Sequence, residues 1–177
     1  IGRADAAIGV VSAVKYTIFA AISMSPYLDK ELCDKLAPIY CADELKTPSL
    51  ILPGMGNIGE DTPLFLGRSI LATVEPDGEG YAVSGKSLRP VNSGAVADLF
   101  CVVCADKLGR PCVALIPGDD KNIIRGKRLL ETGLNVCANA DVSFNNVKIP
   151  KSYVIARDGI VEEIYRSEEH TSELQSR

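Results

Sequence analysis

A chain of 177 residues, 46% hydrophobic and 24% charged, is long enough for one or two domains, each with a real core. A formal net charge of −4 and the lack of a lysine/arginine cluster argue against nucleic acid or an anionic membrane as partner. Six cysteines (Cys33, Cys41, Cys101, Cys104, Cys112 and Cys137) lie within apolar runs, and no cleavable signal sequence is visible. That pattern favours reduced, buried thiols in a cytoplasmic compartment.

Residues 1–24 are alanine-rich and suit a helix, with Ala6, Val10, Val14, Ile18 and Ile22 near one face. A membrane span is the alternative, but Lys15 interrupts it and the uncharged part falls short of the ~20 residues a span needs. Ser25-Pro26 closes the segment, because a residue before proline avoids helical geometry. Residues 29–40 read as a second helix, with Leu32, Leu36, Ile39 and Tyr40 inward and Asp29, Lys30, Asp34 and Lys35 outward. The pair forms a helical hairpin.

Composition shifts at residues 43–47, and loops and short strands follow. The stretch 48–59, PSLILPGMGNIG, joins an apolar strand to a Pro-Gly turn. Gly54, Gly56 and Gly59 would let backbone amides approach a planar or anionic ligand. The motif is neither a Walker loop nor a dinucleotide fingerprint, and an ordinary turn is the simpler reading. A proline turn and the apolar run 69–74 come next.

Residues 77–98, DGEGYAVSGKSLRPVNSGAVAD, are the centre of the chain. A glycine turn leads into alternating Tyr81, Ala82, Val83 and Ser84, a half-buried strand. A break at Gly85-Lys86, a short run at 88–91 and small residues from Asn92 to Ala95 follow. Closely spaced turns of this kind describe an antiparallel β domain that brings backbone amides to one rim.

Residues 99–105 and 112–116 are apolar strands around a turn holding Gly109, a hairpin. Cys101 and Cys104 resemble a CxxC motif, but residues i and i+3 of a strand face opposite ways. They read as two core cysteines rather than a redox or metal pair. Residues 123–130 form another strand, with Arg125, Lys127 and Arg128 on a solvated face rather than at a phosphate site. In 140–149, Val142, Phe144 and Val147 alternate with polar residues around a bulge or turn at Asn145-Asn146, and Pro150 ends the strand. Residues 160–165 begin a helix.

The last stretch, RSEEHTSELQSR at 166–177, is polar and without period. Its first eleven residues are the in-frame translation of a common sequencing-adapter oligonucleotide, so it is set apart as a scar. It carries His170, the only histidine, and without it no histidine triad or metal site is expected.

Three of these stretches together resemble the acyl-CoA dehydrogenase family. Gly80-Tyr-Ala-Val-Ser-Gly-Lys86, with Asn92 and Ala97-Asp98, is similar to its DGYVLNGTK…TNG..AD element. Thr132-Gly-Leu134 through Ala140–Pro150 is similar to its G…FddVrVP strand, and Ser49 to Asn57 occupies the place of its TEPxAGSD loop. The resemblance implies an α+β fold: a partial N-terminal helical domain at 1–47, then a middle antiparallel β-barrel domain at 48–159. Residues 160–165 would start a C-terminal helical bundle that the chain lacks.

The implied cofactor is FAD and the implied reaction is α,β-dehydrogenation of an acyl-CoA thioester, with the carboxylate base in the absent domain. An electron-transfer flavoprotein and a homo-oligomer are the implied partners. By position, Pro53, Gly54, Gly56 and Asn57 would line the flavin and its pyrophosphate, and Val91, Asn92 and Ser93 would lie by the isoalloxazine ring. The chain departs from the pattern at Ile51-Leu52 (Thr-Glu in the family), Asn57 (a serine), Ile58 (an aspartate) and Arg89-Pro90-Val91 (Trp-Ile-Thr). These changes leave open whether Asn92 or Ser93 supplies the missing donor to flavin N5. A flavin monooxygenase of the same fold and a divergent non-catalytic subunit are the alternative functions.

Overall fold

A computed structural model describes residues 6–24, 30–42, 46–54, 63–65, 67–130 and 137–155. Gly56, Asn57, Ile58 and Gly59, the Thr132 to Leu134 motif, the helix start at 160–165 and the segment 166–177 lie outside the described residues.

Apolar residues recurring at helical spacing, with alanines between them, wind into α1 (Ala6–Met24) despite its β-branched side chains. Its buried face runs through Ala7, Val14, Ile18, Phe19 and Ile22, the spacing of one side of a helix. Ala6, expected on that face, is exposed, and Ala7 takes the inward position. Helix α2 (Lys30–Ala42) buries Leu32, Leu36 and Tyr40. Ile39 was expected inward but is 45% exposed, because the i, i+4, i+8 stripe ends at Tyr40. Pro38 lies inside this helix on its exposed side. The Tyr40 ring stacks on Phe19 of α1 with centroids 6.1 Å apart, tying the two helices together beyond the proline. No helix among the described residues is long and apolar enough to cross a membrane.

Among the described residues ten strands follow: β1 (Pro48–Ile51), β2 (Leu64–Phe65), β3 (Arg68–Ser69), β4 (Ala72–Asp77), β5 (Gly80–Leu88), β6 (Leu99–Ala105), β7 (Pro111–Pro117), β8 (Ile123–Arg125), β9 (Val142–Pro150) and β10 (Val154–Ile155). Among the described residues, β2 and β3 pair with each other alone. The rest form one sheet in the order β10-β7-β6-β4-β5-β9-β8, with β1 also paired to β6. β7 also packs against β9, so the sheet curls.

The α+β architecture, helices first and sheet second, is as expected. The sheet itself is mixed: β1 and β4 both run parallel to β6. Parallel pairing requires a long crossover rather than a hairpin, and the stretches 52–98 and 78–98 provide those excursions.

Two local readings change. The break at Gly85-Lys86 does not end β5; it is a bulge, with register shifts against β9 between Val83 and Gly85 and between Gly85 and Leu88. Ser87 takes φ 51° there, and its N–H donates to the Ser143 hydroxyl. The strand expected at 123–130 is only β8, since residues beyond Arg125 have no strand partner among the described residues.

Every residue of β6 is buried, and alternate side chains enter different cores. Leu99, Cys101 and Val103 pack with α1, α2, Val113 and Leu115. Phe100, Val102 and Cys104 face the inside of the curled sheet, with Ile116, Val142, Phe144 and Val147. Cys101 and Cys104 thus point into opposite cores, as the strand period requires. Cys33, Cys41, Cys101, Cys104 and Cys112 are free thiols; Cys41, expected buried, is exposed, because it follows the last inward turn of α2.

Candidate functional site

Residues 89–98 cross from β5 to β6 and close one end of the sheet. On one side they lie along β1. The Val91 N–H donates to the Leu50 carbonyl at 2.8 Å, and the Ser49 hydroxyl donates to the Asn92 carbonyl at 2.5 Å. The Asp98 N–H donates to the Thr47 carbonyl. On the other side they lie against 137–141. Ser93 and Ala95 donate to the carbonyls of Cys137 and Ala138, and the Asn139 side chain bridges the Gly94 N–H and the Pro90 carbonyl. Arg89 forms a two-pronged pair with Asp141, Nε to Oδ1 at 2.8 Å and Nη2 to Oδ2 at 3.0 Å.

The closely spaced turns were expected to bring backbone amides to one rim. The N–H groups of Val91, Ser93, Gly94, Ala95, Val96, Ala97 and Asp98 instead all donate to acceptors within the protein. Buried backbone donors take the nearest acceptor, and here that is the protein's own chain.

What is left for a ligand is side chains. Ser93 holds φ 53°, an unusual conformation for a residue with a Cβ, and its carbonyl accepts from both Val96 and Ala97. Its hydroxyl oxygen accepts from Asn92 Nδ2 at 3.2 Å, and no acceptor for its own proton is found among the described residues. Asn92 is fully buried, and its Nδ2 also donates to the Pro48 carbonyl at 3.3 Å. Its Oδ1 is buried without a hydrogen-bond partner among the described residues, an arrangement worth about 1–3 kcal/mol of lost solvation.

Beside them is a cavity of ≈ 600 Å³ between α1 and this turn. Val11, Ser12, Lys15 and Tyr16 line its helical side, and Ser93 and Val96 its sheet side. The volume suits a small-molecule site, and the wall is mostly apolar with a few polar groups. Sequence reasoning missed the helical half, where Lys15 served only as an argument against a membrane span. Its position within an otherwise apolar helix was the available signal.

No protein-family profile matches the chain, and no curated protein matches it. Solved structures do. One titled an FAD-dependent dehydrogenase superposes with a TM-score of 0.73 at 19% identity, over 93% of this chain and 43% of the other. An acyl-CoA dehydrogenase from Geobacillus kaustophilus gives 0.65 at 19% identity, over 86% and 40%. A dibenzothiophene monooxygenase from Paenibacillus sp. A11-2 gives 0.69 at 19% identity, over 93% and 39%. The chain has the acyl-CoA dehydrogenase fold. It spans about two-fifths of the length of the chains it matches.

Within that acyl-CoA dehydrogenase fold, the described site residues fall into two groups. Val91, Asn92 and Ser93 lie along β1, through Val91 with Leu50 and Asn92 with Pro48 and Ser49. Pro53 and Gly54 lie beyond its C-terminal end, where the Gly54 N–H donates to Ser69 and φ is 79°.

A flavin fits on one count: the Ser93 hydroxyl belongs to a residue of the cavity wall, and its proton suits an acceptor on the ring. The Asn92 Oδ1 is buried behind that wall and does not line the cavity. The amides of 93–98 take no part. Ile51 and Leu52, where the family has polar residues, are 2% and 3% exposed and belong to the core.

Proposed function

We propose that this chain is the flavin-holding part of an FAD-dependent oxidoreductase that α,β-dehydrogenates an acyl-CoA thioester. The observation that carries the reading is the cavity beneath α1, walled on its sheet side by Ser93 and Val96. Ser93 donates to the ring, and Val91 offers it an apolar contact. Pro53, Gly54, Gly56 and Asn57 are assigned to the flavin and its pyrophosphate by their place in the sequence. Val11 and Val96 give the cavity apolar wall on both sides.

When bound, the flavin supplies the oxidation, accepting hydride from the substrate's β carbon. The α proton leaves to a carboxylate from the C-terminal domain, so no residue of this chain carries that transfer. An electron-transfer flavoprotein would be the electron acceptor of such a flavin, and the complete protein would be a cytoplasmic homo-oligomer.

A monooxygenase is the second reading, favoured by a superposition on the dibenzothiophene enzyme as good as that on the dehydrogenase. The test uses protein expressed from the complete reading frame. Retained flavin that an acyl-CoA bleaches under anaerobic conditions is the expected result. Flavin that resists bleaching but consumes oxygen once reduced selects the monooxygenase, and protein that holds no flavin overturns both. In flavin-binding protein, Ser93→Ala weakens FAD about five- to tenfold, the value of one hydrogen bond, read by fluorescence titration.

A further inference from the structure

Arg125 was expected on a solvated face, and the structure places it elsewhere. Its Nη1 donates to the Gly94 carbonyl at 2.8 Å, and its Nη2 to those of Ala97 and Gly118, both at 2.8 Å. Its Cζ lies 5.2 Å from the centroid of the Phe100 ring. Among the described residues it has no ion-pair partner. Burial lowers its pKa, but a guanidinium starts so high that it stays charged. Three carbonyl dipoles and an aromatic face surround this charge, and the nearby Asp98 carboxylate favours it.

The three carbonyls belong to the start of the 94–97 turn, its end, and the connection after β7. A guanidinium is a rigid planar fork, so it fixes these groups relative to one another as well as holding them. The surroundings leave little room for other arrangements. A Cβ at Gly94 would collide with the Ala140 carbonyl, and one at Gly118 with the Ala97 carbonyl. Ser93 and Val96, the sheet-side wall of the cavity, are held in the same turn.

We propose that Arg125 is a positioning residue that sets the 93–97 turn in the shape that receives the ligand, acting through three backbone carbonyls rather than by contact. Only the identity of that ligand rests on the flavin reading above. A lysine in its place keeps the charge but concentrates its donors on one nitrogen, so it cannot reproduce the fork. A methionine removes charge and donors together, leaving the carbonyls of Gly94 and Ala97 without this donor.

The test compares R125K and R125M with wild type in protein from the complete reading frame. Two quantities are read: amide hydrogen exchange and FAD affinity by fluorescence titration. The expected result is at least tenfold faster exchange at 95–98, with the amides of β6 and β7 unchanged, and a severalfold weaker FAD Kd. R125M shifts both further, and R125K decides the matter if R125M does not fold. Unchanged exchange at 95–98, or acceleration shared equally by β6 and β7, overturns the proposal, as does an unchanged Kd where wild type binds. Wild-type protein without flavin affinity sinks the functional reading alone, and the exchange contrast then decides the role of Arg125.

Discussion

A methyl group at position 94 has nowhere to go. The Gly94 Cβ would meet the Ala140 carbonyl and also the Pro90 ring, and both belong to segments pinned by Asn139. Overpacking against backbone costs about 1–3 kcal/mol, and here it acts on the cavity wall. Gly94→Ala therefore lowers stability by about 3 kcal/mol in urea unfolding and loosens ligand binding with it. Gly67 is the control. It holds φ 76° with open space around its Cβ, so Gly67→Ala costs only the backbone strain, about 1–2 kcal/mol, and leaves the site alone. Equal effects from both substitutions would mean that crowding at Gly94 is relieved by movement of 138–141.

Strand β6 is where the elements meet, and Phe100 is its largest interior side chain. It is fully buried, packs edge-on against Phe144 with centroids 5.4 Å apart, and lies under the Arg125 guanidinium. Phe100→Ala removes all three and is expected to cost about 3–5 kcal/mol, measured by the shift in denaturation midpoint. The strand was legible in the sequence because its run LFCVVCA is apolar on both faces. So was the opposition of Cys101 and Cys104, which follows from strand period alone. Which strands flank β6 was not legible, since no local pattern tells Leu50 that its partner is Cys101. Arg125 was misread for a related reason. A charge on a short strand reads as solvent-facing unless the carbonyls that converge on it from distant segments are known. The site was legible only in part: Val91, Asn92 and Ser93 stood out as small or polar residues in a turn. The helix that completes the cavity comes from nearly eighty residues earlier.

At the scale of the whole molecule, the buried thiols set an alkaline limit. Burial pushes the Cys101 thiol from an ordinary 9.0 up to about 12. Burial, reinforced by Asp106, pushes Cys112 to about 12 as well. The unfolded chain releases these protons near pH 9.0 while the folded chain keeps them. Stability is thus unaffected below that pH and falls as pH rises toward 12, by about 1.4 kcal/mol per pH unit for each thiol. A urea midpoint that stays flat from pH 9 to 11 would contradict this. At pH 8 a thiol reagent is expected to modify Cys41 first and Cys101, Cys104 and Cys112 only on unfolding, as mass spectrometry of modified peptides will show. The parallel pairing of β1 with β6 also bears on how the chain is made. A ribosome delivers β1 first and its partner roughly fifty residues later, a delay on the order of 3–10 s at ordinary translation rates. For that interval the apolar Leu50, Ile51 and Leu52 have no strand to join, and the nascent protein presents a sticky segment suited to capture by a chaperone.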